Sequence, residues 1–254
     1  MNLTLHGIPN SISLRGRSNY AGLFDEPRKF SRVLANPPFS QRWSDFHPEP
    51  VLYARPTKGR AVFAWLEHAI RSLDPDGRAA VVMPNGTLFS ANRYDIATRQ
   101  GMLEDGCVEA IIALPPDLFH DTRVPVCVWL LLPPGSVQDQ ILLIDASTAG
   151  HMVSRTRREI SGKETAEMAE AIRMWRSRNL SEGALNTATA SLAEIRARNY
   201  NLSPGVYMKT PSPVSDPSST ELSVEQLMSR LASLKEAADE KDAAAEQLLR
   251  RLKW

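Results

Sequence analysis

Short apolar runs, separated by proline and glycine breaks, dominate the first 150 residues. Residues 32–35 (RVLA) suit a strand. It must stop at Asn36-Pro37-Pro38, because consecutive prolines remove ladder donors. Residues 61–73 (AVFAWLEHAIRSL) repeat at helical spacing instead, with Val62, Trp65, Leu66, Ala69, Ile70 and Leu73 on one face. Asp74-Pro75-Asp76-Gly77 predicts a turn, and residues 78–83 (RAAVVM) a buried strand closed by Pro84-Asn85-Gly86. Strand, helix and strand in that order indicate an α/β fold with a largely parallel sheet. The runs 108–114 (VEAIIAL) and 124–132 (VPVCVWLLL) are joined by a connection without a helical span. That predicts an antiparallel pair. A last run, 141–144, precedes Asp145.

After Gly150 the pattern changes. A basic cluster, Arg155, Arg157 and Arg158, suits either phosphate contact or a solvated loop, and residues 164–178 read as helix. Residues 209–220 (KTPSPVSDPSST) form a Pro- and Ser-rich linker. Beyond it Val224, Leu227, Leu231, Leu234, Ala238, Ala245, Leu248 and Leu252 recur with steps of three and four, interrupted by Lys241. That seam predicts a coiled coil, the alternative being an amphipathic helix lying on its own domain. The expected organisation is a catalytic half over 1–150, a helical extension over 151–208, the linker, and a coiled-coil helix over 221–254.

Composition narrows the class only modestly. Hydrophobic residues at 43% and charged residues at 23% fit an ordinary globular protein, and a net charge of +1 gives no global attraction to nucleic acid. Cys107 and Cys127 sit in apolar runs without ligand spacing, so both read as buried hydrophobes and no metal site is expected. Trp43 and Trp65 read as packing residues, and His47 and His120 as loop residues. No apolar stretch reaches membrane-spanning length, and the N-terminus carries no signal pattern, which makes the cytoplasm the expected location.

The string carrying chemistry is Asn36-Pro37-Pro38-Phe39. An exocyclic adenine amine is a poor nucleophile because its lone pair is delocalised into the ring. The Asn36 side-chain oxygen can accept one of its hydrogens and the Pro37 carbonyl the other. That draws the nitrogen towards tetrahedral geometry, while the prolines hold both acceptors in place. Phe39 offers a face for a base taken out of the stack. The end of a strand in an open α/β sheet is where ligands bind. A plain proline turn closing a strand fits the same four residues.

Residues 33–39, 77–89 (GRAAVVMPNGTLF), 108–122 (VEAIIALPPDLFHDT), 124–131, Asp145-Ala146-Ser147 and 199–205 (NYNLSPG) together resemble the N6-adenine DNA methyltransferase (modification) subunits of type I restriction–modification systems. Residues 1–8 resemble the helix end that precedes the cofactor-contacting third strand in that family. The resemblance implies a class I S-adenosylmethionine-dependent methyltransferase fold, Rossmann-like, with S-adenosylmethionine as cofactor and DNA as substrate. It further implies a specificity subunit with coiled-coil spacers, a partner suited to the helix after Val224. Asn36, Pro37, Pro38 and Phe39 take the catalytic positions.

Other family features are missing. Glycines before Asn36 are confined to Gly7, Gly16 and Gly22, so the Gly-rich turn that holds the methionine part of the cofactor is absent. Gly16-Arg17-Ser18 stands where the family carries a Gly-Asp pair, and the acidic ribose contact would fall before Met1. The expectation is therefore a chain truncated at its N-terminus, with no cofactor-binding residues of its own to name, completed by a chain carrying the missing half. Residues 33–35 would then form an exposed apolar edge. The alternative is a catalytically dead fragment that binds a specificity subunit as an interaction protein. Methylation of RNA or of protein glutamine is a third reading, which the NPPF string alone does not exclude.

Overall fold

The computed structural model describes residues 29–39, 52–54, 62–119, 123–179 and 186–208. In chain order these form β1 (Phe30–Ala35), α1 (Val62–Arg71), β2 (Leu73–Pro84), α2 (Arg93–Glu104), β3 (Val108–Ala113), β4 (Val126–Leu131) and β5 (Gln140–Asp145). They continue with β6 (His151–Ser154), β7 (Arg157–Glu159), α3 (Gly162–Arg176), β8 (Thr187–Ser191) and α4 (Leu192–Ala197). Short 3-10 turns occupy Asn85–Leu88 and Pro204–Val206.

Six strands make one sheet in the order β1-β2-β4-β3-β5-β8, and β6 and β7 pair separately as a hairpin. β1 runs parallel to β2, with Val33 opposite Ala79 and Ala35 opposite Val81. β4 is inserted antiparallel between β2 and β3, as the short connection after β3 requires. β5 is again parallel to β3, and β8 closes the far side antiparallel. The carboxyl ends of β1, β2, β3 and β5 therefore share one end of the sheet.

Both faces of the sheet are covered. On one, α1 and α2 bury Leu66, Ile70, Met102 and Leu103 against Val81, Met83, Ile111 and Trp129, with Phe63 edge-on to Trp129 at 6.3 Å between ring centroids. On the other, Met168 and Ala171 of α3 cover Ala110, Ile112, Leu142 and Ile144. Burial on both sides explains why β3 and β5 read as near-continuous apolar runs rather than alternating ones.

The Asp74–Gly77 string turns tightly on itself: a side chain at Gly77 would start 2.9 Å from the Asp74 backbone N and O. It is absorbed as a bulge inside β2, which pairs through Leu73 with Phe30 and resumes through Arg78 with Arg32. A side chain at Gly77 would start 2.8 Å from the Phe30 carbonyl oxygen, so glycine is what lets β1 stay alongside. Residues 151–208 hold three strands as well as two helices. Two of the strands form the polar hairpin, and β8 (TATAS) is too polar to stand out as an apolar run.

α3 and α4 start alike: Ser161 and Ser191 cap backbone N–H groups of Glu164 and Glu194, whose carboxylates return the bond. Hydrogen bonds from the Ser161 hydroxyl and from the Gly150 and Ser161 backbone N–H groups pull the Glu164 carboxyl down to about 2. α2 begins on Asn92, which accepts from the Tyr94 N–H at 2.9 Å. Glu109, buried in β3, takes a two-pronged pair from Arg176 at 2.8 Å on each oxygen and so fastens α3 to the sheet.

The chain divides into two units, Met1–Met208 and Lys209–Trp254. The linker expected over 209–220 and the coiled-coil helix over 221–254 lie outside the described residues. So do residues 1–8, Gly16-Arg17-Ser18, Trp43, His47 and His120.

Candidate active site

Four loops follow the parallel strand ends: Asn36–Phe39 after β1, the 3-10 turn and its continuation to Ser90 after β2, residues 114–119 after β3, and residues 146–150 after β5. The predicted catalytic residues thus share one end of the sheet with three other loops, the nearest being the one after β2. Within the first, Pro37 is buried, Phe39 half-buried, and Asn36 and Pro38 are exposed. The buried proline plants the turn on the domain while the asparagine amide faces out.

β1 is an edge strand among the described residues, pairing only with β2. Val33 and Ala35 pack against the core, whereas Leu34 on the opposite face is 85% exposed. The apolar edge expected from residues 33–35 is therefore carried by Leu34.

The loop after β2 is held very differently. Thr87 donates to the Pro84 carbonyl at 2.8 Å and accepts from the Trp129 indole at 3.3 Å. Arg99 of α2, fully buried, donates to the carbonyls of Thr87 at 3.1 Å, Ser90 at 2.7 Å and Tyr200 at 2.9 Å. Burial pulls its guanidinium down to about 10. The Leu202 N–H donates to the Leu88 carbonyl at 2.9 Å, so the strings MPNGTLF and NYNLSPG close on each other. Asn199 and Tyr200 adopt positive φ of 52° and 56° to turn the chain back there. What this frame displays is Phe89, 55% exposed between anchored neighbours. The Asn85 N–H donates to the Pro125 carbonyl at 2.9 Å, while its side-chain oxygen is buried with no hydrogen-bond partner among the described residues.

The N-6 DNA Methylase family matches residues 1–215. The chain belongs to this family. The methylase subunit of the type I restriction enzyme HindI, from Haemophilus influenzae, is 31% identical over 219 residues, which cover 83% of this chain and 48% of that protein. The MjaIX methylase subunit from Methanocaldococcus jannaschii is 28% identical over 224 residues, 82% of this chain and 39% of that protein. Among solved structures, the methyltransferase subunit of a type I restriction–modification system from Streptococcus thermophilus superposes with a TM-score of 0.67 at 26% identity, covering 82% of this chain and 45% of that one. The chain thus spans less than half the length of these relatives. Its fold is the mixed α/β sheet shared with that methyltransferase subunit, described from the NPPF strand onward.

Sequence reasoning placed the NPPF turn and singled out the strings after β2 and after α4, but missed the polar side chains that hold them. Arg99 lies in a helix (RYDIATRQGMLE) whose apolar residues are too sparse to announce a buried face, and an arginine there reads as surface. Glu67 was hidden similarly inside the apolar run of α1. It is 3% exposed and accepts the Leu52 N–H at 2.8 Å; burial lifts its carboxyl to about 7. The Tyr53 hydroxyl reaches Cys107 Sγ at 3.2 Å, and its ring lies where a side chain on Gly101 would start, 2.2 Å away. Residues 52–54 are thereby pinned to the core between the NPPF turn and α1.

The described residues do not by themselves fit S-adenosylmethionine. At the shared strand ends they offer Gly86 in open space and one orphaned Asn85 oxygen, and no Gly-rich turn follows any of the four strands. Among the same residues no cluster of His, Cys, Asp and Glu could hold a metal ion, and no helix is long and apolar enough to cross a membrane.

Proposed function

We propose that this chain carries the target-amine site of an adenine-N6 DNA methyltransferase of the type I restriction–modification class. It acts in the cytoplasm with a specificity subunit that selects the DNA sequence. The observation that carries the proposal is the NPPF turn at the carboxyl end of β1, asparagine exposed and first proline buried, in a chain of the N-6 DNA methylase family.

In this reading the Asn36 side-chain oxygen and the Pro37 carbonyl accept the two hydrogens of the adenine amine. Phe39 stacks on the base once it leaves the duplex. The prolines restrict the turn before substrate arrives, so little ordering is left to the moment of binding. S-adenosylmethionine supplies the electrophilic methyl group, and polypeptide outside residues 1–254 supplies the Gly-rich turn and the acidic ribose contact.

The test is reconstitution of this chain with its specificity subunit and the polypeptide bearing those motifs. Labelled S-adenosylmethionine should transfer its methyl group to duplex DNA, and digestion of the product should yield N6-methyladenine. Label recovered on RNA or on a protein glutamine would overturn the DNA reading. Calorimetric titration of the chain alone should show no specific S-adenosylmethionine complex; one-to-one binding at micromolar affinity would overturn the need for a second polypeptide.

A further inference from the structure

The β6–β7 hairpin does nothing for the core. Residues 151–157 are all exposed, and a two-stranded ribbon without a buried face is marginal by itself. Its base is nevertheless fastened deliberately. Arg158 donates to the carbonyls of Ala149 at 3.1 Å and Gly150 at 3.0 Å, and its N–H donates to the Asp117 carbonyl at 2.8 Å. The Glu164 carboxylate accepts the Gly150 N–H at 2.6 Å. Gly150 has a positive φ of 76°, and a side chain there would start 2.5 Å from the Glu159 carbonyl oxygen. The fold thus holds the base rigidly and leaves the tip in solvent.

What the tip offers is positive charge. Arg155 in the turn and Arg157 on β7 are exposed, and neither guanidinium forms an ion pair or hydrogen bond with another described residue. Nearby acids are engaged: Glu164 in its cap, Asp117 beside Arg123 at 3.6 Å, while Glu159 sits opposite His151 at the base. The hairpin follows β5, so it rises from the same end of the sheet as the NPPF turn. Four strand spacings separate β1 from β5, about 19 Å. B-DNA repeats every ~34 Å, so that offset is close to half a turn of duplex.

Resting on the function proposed above, we propose that the hairpin is an arm that grips DNA phosphates through Arg155 and Arg157, about half a helical turn from the target adenine. Such contacts position the duplex without reading its sequence, which suits a subunit that leaves sequence selection to a partner. The offset matches duplex geometry, and two unpaired guanidinium groups match its charge. The exposed Met152 and Val153 on β6 fit either a groove wall or a protein partner, so the test separates those.

The experiment uses the complete modification assembly and a duplex of about 25 base pairs, with affinity measured across a range of potassium chloride. The variant R155Q/R157Q should weaken binding roughly tenfold to a hundredfold at ~0.1 M salt. It should also flatten the slope of log affinity against log salt by about 2, one phosphate per arginine. R155K/R157K should restore the slope, because the charge and not the fork is what releases counterions. Arg158 is left intact, so the hairpin keeps its base. An unchanged slope in an assembly that still methylates adenine overturns the arm and leaves the function standing. A double variant that falls out of the assembly on gel filtration overturns the arm in favour of a protein interface. A wild-type assembly that binds no DNA overturns the function and the arm together.

Discussion

The loops after β1 and β2 are neighbours at one end of the sheet, yet they are built by opposite means. The Asn36–Phe39 turn is shaped by its own covalent structure, two prolines and a buried Pro37, on a strand paired only with β2 among the described residues. The loop after β2, residues 85–90, contains no proline and gets its shape from afar. Arg99, Trp129 and Leu202 all bond into residues 87–90. The difference teaches where rigidity comes from at this edge. The loop proposed to hold the amine is restricted by its own prolines, and the exposed Asn36 leaves its amide available for substrate. The loop beside it has its carbonyls occupied and serves as a wall.

That contrast predicts how each loop breaks. The largest effect should come from Arg99→Ala, which strips a partner from the buried Thr87 carbonyl and from the part-buried Ser90 and Tyr200 carbonyls. At about 1–3 kcal/mol for each lost partner, the domain should lose on the order of 5 kcal/mol, seen as a large fall in the midpoint of chemical denaturation. A midpoint within 1 kcal/mol of wild type would show that the wall holds itself.

Asn36→Ala should do the reverse. An exposed side chain carries little stability, so unfolding should be unchanged. The methylation rate of the reconstituted assembly should fall by roughly two to three orders of magnitude, as for loss of one preorganised hydrogen-bonding group. An unaltered rate would remove Asn36 from the chemistry.

Glu67 sharpens the comparison through the segment that follows the NPPF turn. Its folded pKa of about 7 lies above the ordinary 4.5. The native state therefore keeps a proton that the unfolded chain releases between those values. The stability this confers is fully present below pH ~4.5 and is lost as pH rises to about 7, a difference of roughly 3 kcal/mol. Glu67→Gln keeps an acceptor for the Leu52 N–H and should flatten the stability profile over that window relative to wild type. Parallel profiles for the two proteins would show that the carboxyl stays ionised.

The smallest effect concerns the half-buried aromatic of the first loop. Phe39→Ala should weaken the complex with a flipped adenine by about 1–3 kcal/mol and leave the denaturation midpoint nearly unchanged. Fluorescence of 2-aminopurine at the target position reads the flipped population, and an undiminished signal would mean that the base stacks elsewhere.

How much of this was legible in the sequence follows the same division. Strong local signals survived intact: the prolines that end β1, the apolar spacing of α1, and the short connection that makes β3 and β4 antiparallel. Each depends on residues within a few positions, so one sequence suffices. The Asp74–Gly77 turn was legible, but its place inside β2 was not, because only pairing with β1 on both sides of it makes the turn a bulge in one strand. The sequence by itself therefore determined the α/β class, the family resemblance and the position of the NPPF turn. Tertiary structure alone decided that Arg99 would be buried 101 residues from its Tyr200 partner, that Glu67 would clamp Leu52, and that β8 would close the sheet. The physical reason is that a polar side chain carries no local mark of burial. Its partners are backbone carbonyls and N–H groups, which every residue has, and only the folded chain selects which ones it meets.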